Sequence, residues 1–536
     1  MLNVRPVLSS AGIVAGFLIL LCFVFVPRFE TNDDVAMSMV AHGYGIAATG
    51  SANLVFSSVL WGYLVRAIPS IGGVVGYSIG TLLELFLAGS AILYFLKRLG
   101  VGAYAATFVT LLMLLRPVLF PQFTLGAGLL TIAAVLGFWT YSRYGNVVVL
   151  AIASLLAFWG YLVRSQEFFF VIAIAAPLVA LSGLRGDKRL QIAAGLLTAF
   201  IVGGALFEQS QYGGSEWQRY NDLNGARAAF TDFGAAGQLQ LRPDIRKRYG
   251  YSQNDLSLIQ HFFFVDPKIV NPKTLQAMLS DLGPATYLRN GLAPAYSSLL
   301  ALFSPELIPI GFCALAFLLL RPRSIILASL LIFCAASLVT GLLGRGGILR
   351  TDIPAVDMLC VLSLVFLYAP LQTGAGNGLL RTESSRNILA SVLVTLALIA
   401  ECWTIVPSAF DSMKRVRFEQ AAAAGLPNEV IADWGAGIPL EYIFPLLASD
   451  ARARRVRLYP LGVFTLAPFS VAAAEGAAGR GFIPRVTSPA GMLVVANPSN
   501  LDELGIWCAE RFNGSLRSVT LVPGAATNVQ RVWCKR

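Results

Sequence analysis

Ile13-Val-Ala-Gly-Phe-Leu-Ile-Leu-Leu-Cys-Phe-Val-Phe-Val26 runs straight into Pro27-Arg-Phe-Glu-Thr-Asn-Asp-Asp-Val35. The first stretch is a membrane helix by length and composition. The second places Arg28, Glu30 and the adjacent carboxylates Asp33 and Asp34 where that helix leaves the bilayer. Charges close to hydrocarbon are costly, and those kept there commonly bind or transfer something; a carboxylate at a membrane edge can also simply face water. No small-residue cleavage site follows the run, since Pro27-Arg-Phe-Glu departs from that pattern, so it reads as a retained helix and not a removed signal peptide.

The same apolar signal recurs along the first ~405 residues. The chain is 56% hydrophobic and only 13% charged, against about 25% charged in soluble proteins. Its mean hydropathy is +0.69. Runs able to cross ~30 Å of hydrocarbon lie near 13–27, 74–96, 101–115, 124–142, 146–162, 168–184, 190–207, 298–320, 324–343, 353–371 and 387–406. The run at 74–96 opens on the motif Gly72…Gly76…Gly80, whose four-residue spacing suits close helix packing. The fold class is thus an α-helical polytopic membrane bundle of about eleven transmembrane helices.

Loop charge orients this bundle. Arg5, Lys97-Arg98, Arg143, Arg185/Lys188/Arg189, Arg321/Arg323 and Arg381/Arg386 share one side if the helices alternate, with only Asp187 and Glu383 opposing them. The positive-inside bias assigns that side, and the N-terminus, to the cytoplasm. The net charge of +11 follows in part from this pattern. No basic stripe interleaved with aromatics calls for nucleic acid.

The opposite side collects the unusual sequence. There fall the Asp33-Asp34 loop, Arg116-Pro-Val-Leu-Phe-Pro-Gln122, Arg164-Ser-Gln-Glu167, the link Leu343 to Arg350, about 90 residues from Glu208 to Ser297, and everything after about Ser408. Loops beyond about 15 residues are uncommon unless they work. Arg116, Arg164, Arg345 and Arg350 are conspicuous on an external face. Some can pair locally, Arg164 with Glu167 and Arg350 with Asp352. The sharper reading is a phosphate site, which the planar guanidinium fork suits. Arg350 leads, then Arg164 and Arg116.

Within 208–297, Trp217, Tyr220, Tyr251, Asp255 and His261 interleave aromatic rings with amides and carboxylates. Such a mixture suits sugars, and it also occurs in ordinary folded caps. Ser252 or Asn254 can cap a helix from Asp255, and Pro272–Leu282 reads as an amphipathic helix. After Asp33-Asp34, the segments around Val35–Val40 and Val55–Val65 offer apolar faces that fit the membrane interface or the core equally. The last ~129 residues read as a small α/β or α+β domain, 408–536, with strands at Val456–Tyr459, Met492–Ala496 and Val519–Val522 and helices at Ala409–Ala424 and Leu501–Phe512. Cys22, Cys313, Cys334, Cys360 and Cys402 sit in apolar helices. Cys508 and Cys534 fall outside, where a disulfide suits an oxidising periplasm. His42 and His261 are the only histidines, and no His/Cys cluster has metal-ligand spacing.

The layout resembles the GT-C superfamily of polytopic glycosyltransferases, in the acidic pair of the first external loop, Glu30-Thr-Asn-Asp-Asp34, with weaker echoes at Trp217…Tyr220-Asn221 and Tyr251-Ser-Gln-Asn-Asp255. The Trp-Trp-Asp signature of oligosaccharyltransferases is absent, and Asp433-Trp434-Gly435 is not that motif. The resemblance implies a bacterial inner-membrane enzyme with domain 1–407 catalytic and 408–536 periplasmic. It implies transfer of a sugar from a polyprenyl-phosphate carrier to an envelope glycan, lipid or protein, with inversion. Asp33 or Asp34 would be the base, Glu167 a remote second candidate, and Arg350, Arg164 and Arg116 would face the phosphate. Glu30, Glu167, Trp217, Tyr220, Tyr251, Asp255 and His261 would line the acceptor or sugar site. A divalent cation (Mg, Mn or Ca) on Asp33 and Asp34 is compatible with the sequence and not required by it. A flippase or transporter of lipid-linked sugars, or a non-enzymatic envelope assembly protein, are the rival classes; internal repeats that would mark a transporter are not found.

Overall fold

The computed structural model describes residues 4–181, 186–283, 293–343, 345–369, 382–435, 437–449, 453–521 and 528–535. Arg185, Arg381 and Val522, and the final residues of the runs at 168–184 and 353–371, lie outside the described residues.

Each apolar run becomes a helix. The order is α1 (Val4–Val24), the short α2 (Asn32–His42) and α3 (Val59–Ala67), then α4 (Gly76–Arg98), α5 (Ala103–Leu119), α6 (Phe123–Tyr144), α7 (Val147–Val163), α8 (Ser165–Leu181) and α9 (Lys188–Tyr212). A segment of small helices follows, α10 (Gln218–Thr231), α11 (Ala235–Gln240), α12 (Pro243–Arg248), α13 (Gln253–Gln260) and α14 (Pro272–Leu282). The chain returns through α15 (Ala293–Ala301), α16 (Ile308–Leu320), α17 (Ser324–Leu342), α18 (Leu349–Tyr368) and α19 (Glu383–Ala423). Among the described residues seven helices are long and apolar enough to cross a membrane, and four shorter apolar ones, in α5, α7, α8 and α16, complete the set. The protein is a polytopic membrane protein. The single run expected at 298–320 is broken in two between Ala301 and Ile308, around Ser304-Pro305-Glu306, where the proline supplies no N–H to a continuous helix.

Helices α6 and α18 are enclosed by their neighbours, whereas α9 stands at the edge with Gly204 as its one buried residue. The basic ends cluster as the loop charges require. Arg143 Nη1 donates to the Leu99 carbonyl (3.3 Å), the Tyr144 hydroxyl to the Arg98 carbonyl (2.7 Å), and Arg321 to the Leu367 carbonyl (3.1 Å). The acidic pair, Arg164 and Arg350 therefore gather at the other end.

There α2 is buried along almost its whole length, so it packs as core. Helix α3 buries Val59, Trp61, Gly62 and Val65 but exposes Tyr63 and Leu64, which fits a helix at the membrane interface. The glycine motif works as close packing at two of its positions. A Cβ on Gly76 would strike the carbonyls of Val65 and Ile68, and one on Gly80 would press on Trp61 and Val65; Gly72 has open space and a left-handed φ of 58° in a turn.

Helix α19 runs unbroken through Pro407 for 41 residues. At 1.5 Å per residue that is about 60 Å, twice the ~30 Å hydrocarbon layer. The expected boundary at 407/408 therefore falls mid-helix, and one rod carries the chain from the bilayer to the C-terminal sheet. That sheet contains β1 (Ile431–Trp434), β2 (Leu458–Leu461), β3 (Met492–Val495), β4 (Ser515–Thr520) and β5 (Gln530–Lys535) in the order β2-β1-β3-β5-β4. The first three strands are parallel and the last pairings antiparallel. Helices α20 (Leu440–Ile443), α21 (Val471–Ala477), α22 (Phe482–Val486) and α23 (Pro498–Phe512) connect them. Strands β1 and β5 were not anticipated from sequence, and Cys508 of α23 is disulfide-bonded to Cys534 of β5.

The segment 208–297 is not a free loop. Leu223, Phe230, Leu256, Phe263 and Leu275 share one core with Trp434, Phe482, Val494 and Trp507. Two pieces some 150 residues apart in sequence thus build one extramembrane body, while Ile431, Ile438, Phe444 and Phe464 join the membrane core.

Gly76→Ala is expected to destabilise the protein by roughly 1–3 kcal/mol, since backbone carbonyls cannot yield as side chains do. A thermal unfolding midpoint in detergent equal to that of the unsubstituted protein would show that α3 and α4 are not packed this closely.

Candidate active site

The loop between α1 and α2 is clamped from two sides. Its backbone pairs with the α5–α6 turn, Arg28 N–H to the Leu119 carbonyl (3.2 Å) and Glu30 N–H to the Pro121 carbonyl (3.0 Å). From the C-terminal domain, Leu446 N–H donates to the Pro27 carbonyl (2.9 Å) and Glu441 N–H to Asn32 Oδ1 (3.2 Å). Arg28 stacks over Phe120 and Tyr442 and donates to Ser412 Oγ at 2.9 Å.

This clamp splits the acidic pair. Asp34 turns inward and is completely buried. Its Oδ1 accepts the Tyr77 hydroxyl (3.0 Å) and the Phe123 N–H (3.0 Å), one of the unpaired donors that open α6; Oδ2 is buried with no partner. Burial, reinforced by Asp33, pushes its pKa well above the ordinary carboxylate range, against the pull of Tyr77, Phe123 and Arg350. Asp33 turns outward, with Oδ2 3.3 Å from Arg350 Nη1 and both side chains about a third exposed (37% and 27%). At that exposure the pair is worth under about 1 kcal/mol, so a ligand can exchange with either partner.

Arg164 lies between α7 and α8, where its Nη1 donates to the Phe56 carbonyl (2.8 Å) and its guanidinium covers the Phe123 ring. Burial lowers its pKa, Arg350 lowers it further, and Asp33 and Glu167 raise it. These groups share one field, yet among the described residues Arg164 forms no ion pair. Its other surface borders a cleft of about 390 Å³ lined by Ser57, Tyr161, Gln166, Glu208, Gln209 and Tyr212. Val55 in the same wall holds φ at 73°, a strained value for a β-branched residue, and its N–H bonds the Tyr212 hydroxyl (3.0 Å).

The other expected site residues are placed elsewhere or spent on structure. Arg116 pairs with Glu30 at 2.9 Å and staples the loop to α5. Arg345 pairs with Asp232 at 3.5 Å, and Arg350 takes Asp33 instead of Asp352. Glu167 is buried beneath Arg164 and does not reach the outer face. Trp217 and Tyr220 pack edge-on against each other and against Tyr212 and Phe469. Tyr251 donates to the Ile269 carbonyl (2.9 Å), Asp255 closes a capping box with Ser252 and pairs with Arg511 (2.8 Å), and His261 meets Glu503 at 2.9 Å. Asp255 and His261 dock 208–297 on α23 while Tyr251 ties that segment internally, and the structure does not bring the three to Asp33. His42 accepts the Tyr77 N–H at the start of α4, and burial lowers its pKa to about 4, which keeps it neutral.

A cation bridging Asp33 and Asp34 does not fit. One carboxylate faces out beside a guanidinium and the other faces the core, and no group of three or more His, Cys, Asp or Glu among the described residues could hold a metal. Glu208, Gln166 and Tyr161, which line the cleft, escaped the sequence reading. The available signal was Glu208, a charge ending the apolar run of α9.

No family model and no curated protein matches the sequence. Among solved structures, ArnT from Cupriavidus metallidurans aligns in its apo state at 12% identity with a TM-score of 0.42, covering 98% of each chain. The same protein bound to undecaprenyl phosphate aligns at 12% identity and a TM-score of 0.40, over 98% of this chain and 97% of that one.

Asp34→Asn keeps an oxygen acceptor and should fold, whereas Asp34→Ala strands two buried donors at a cost of about 1–3 kcal/mol. Because the folded pKa of Asp34 is raised, its proton favours the folded state. The unsubstituted protein should gain stability as pH falls from above that raised value toward about 4. Thermal melts across pH should show that gain shrink in Asp34→Asn; an unchanged slope would mean Asp34 does not titrate as placed.

Proposed function

We propose that this protein is an inverting glycosyltransferase that moves a sugar from a polyprenyl-phosphate carrier to a hydroxyl-bearing acceptor on the outer face of a bacterial inner membrane. In this reading the N-terminus is cytoplasmic and the sheet domain periplasmic, as the loop charges favour. One observation carries the reading: Asp33, an outward carboxylate, is held by a weak, exchangeable pair with Arg350, with the unpaired Arg164 in the same field.

The chemistry follows from that exchange. The donor phosphate draws Arg350 toward itself, and Arg164 supplies a second guanidinium fork. Asp33 is then released from its guanidinium partner and open to the acceptor hydroxyl. The acceptor oxygen attacks the anomeric carbon from the face opposite the phosphate and passes its proton to Asp33. The carbon–oxygen bond to phosphate breaks, and its electron pair leaves on a phosphate whose charge the two arginines stabilise. Asp34 is a positioning residue that fixes the direction of Asp33. Glu30 and Arg116 serve by holding the loop. The reaction in this form needs no divalent cation, because the guanidinium groups take its electrostatic part.

The test is transfer by purified protein from a panel of polyprenyl-phosphate sugars to lipid, glycan and protein acceptors. Asp33→Asn should lower kcat by about 10²-fold or more while leaving the fold intact. Arg350→Ala should raise the donor KM as well as lower kcat, and EDTA should leave the rate unchanged. Full activity in folded Asp33→Asn would falsify the assignment of the base, and loss of activity in EDTA that Mg, Mn or Ca restores would overturn the metal-free mechanism.

A further inference from the structure

The extramembrane body carries a cleft of about 740 Å³ that shares no lining residue with the cleft beside Arg164. Part of its lining comes from α21 and the start of α22, and part from residues 264–267 of the small-helix segment. Glu216 and Arg219, at the head of α10, complete it. The two halves of the body, distant in sequence, thus meet here without filling the space between them.

The floor is apolar and partly open to solvent, through Val265, Leu466, Ala473, Ala474 and Ile483. Among the described residues that line it, only Glu216, Arg219, Tyr459 and Thr465 have polar side chains. Two of these are engaged. Thr465 Oγ1 accepts the Gly462 N–H (2.9 Å) and lies 2.8 Å from the Gly462 carbonyl, and the Tyr459 hydroxyl accepts the Phe482 N–H (3.4 Å). Pro267, Pro468 and Pro484 in the lining have no N–H to offer. A sugar, with hydroxyls all round its ring, would leave many of them unbonded on such a floor; apolar side chains would lose nothing.

Charge at the border is unbalanced. Arg219 is exposed and forms no ion pair among the described residues. On α21, the single carboxylate of Glu475 is shared by Arg457, Arg480 and Arg485, at 3.5, 3.0 and 2.6 Å. Arg480 and Arg485 flank the lining stretch Gly481–Pro484. Burial raises the pKa of the Tyr459 hydroxyl, whereas the Phe482 N–H, Arg485 and Arg219 lower it against Glu475, so arginines from both borders act on one point of the floor. Four guanidinium groups stand against the two carboxylates Glu216 and Glu475, and the excess is positive.

We infer that this cleft docks an extended peptide of a partner protein, whose apolar side chains cover the floor while flanking aspartates or glutamates meet Arg219, Arg480 and Arg485. The inference stands on the cleft and does not need the proposed transfer reaction. A single aromatic layer, Trp217 on Phe469, separates the cleft from Tyr212 of the candidate site, so a partner held there sits beside that site without entering it.

The test uses the full chain in phosphatidylcholine nanodiscs, panned against displayed random peptides about a dozen residues long. Selected sequences should combine apolar residues with Asp or Glu. Fluorescein-labelled copies of them should bind by anisotropy, more weakly as NaCl rises. Ala473→Trp, which fills the floor, should raise their Kd about tenfold, as expected for displacing one apolar side chain. Arg219→Glu should slow association and flatten the salt dependence, and Arg242→Glu, outside the cleft, should change neither. Residues 473 and 219 are not in the packed core, so both variants should keep the unsubstituted thermal midpoint. Selection of peptides without this composition, an unchanged Kd in folded Ala473→Trp, or equally tight binding of polyglutamate would each overturn the inference. The last result would mean that the arginines attract charge without the floor taking part.

Discussion

The buried carboxylate of Asp34 is the constraint on which the site depends. A fully buried carboxyl must have its polar atoms met by donors, and here Oδ1 takes the Phe123 N–H at the head of α6 and the Tyr77 hydroxyl of α4. Because these two donors belong to separate membrane helices, satisfying Asp34 fixes the loop after α1 against both. Asp33, the next residue back on α2, is then obliged to point away from the core, toward Arg350 on α18. Inward burial and outward presentation are one decision, taken by adjacent residues on a helix whose remaining length is core.

The arginines of the same face are sorted by what lies within reach of each. Arg116 and Arg345 have carboxylate partners and hold the loop and the small-helix segment in place. Arg350 has a partner it can give up at little cost, since a pair about a third exposed is weak. Among the described residues Arg164 meets a carbonyl and an aromatic face and forms no ion pair. A graded set of this kind lets a phosphate be received without dismantling the scaffold, because the structural pairs are not the ones it would disturb.

The extramembrane body shows a similar division. Aromatic and acidic residues of 208–297 that suit a sugar in composition are used to weld that segment to the sheet domain: Trp434 donates to the His261 carbonyl (2.5 Å), Trp507 to Asp266 (2.9 Å), and Arg511 joins Asp255 and Asp266. Glu475, nearly fully buried, is surrounded by Arg457, Arg480 and Arg485, and the hydrogen bonds from Arg480 and then Arg485, with their charges, hold its pKa below the ordinary range against burial. Polar composition marks such residues as valuable without saying whether a ligand or another part of the chain is their partner.

By itself the sequence determined the membrane class, the helix spans apart from the break at Pro305, the face on which charges gather, and the position of Asp33-Asp34 just past the first helix. Each of these is written in local composition and period, where ~20 apolar residues or a run of loop arginines is legible without neighbours. Only the tertiary structure decided which carboxylate faces outward, which arginines are spent, that α19 crosses the expected boundary into the soluble body, and that residues 208–297 share a core with the sheet. Those outcomes depend on contacts between elements tens to hundreds of residues apart, such as Asp33 with Arg350 or His261 with Glu503. A linear pattern records what a side chain can pair with; packing alone selects the partner, because a buried polar group must find one and the fold determines which stands within 3 Å.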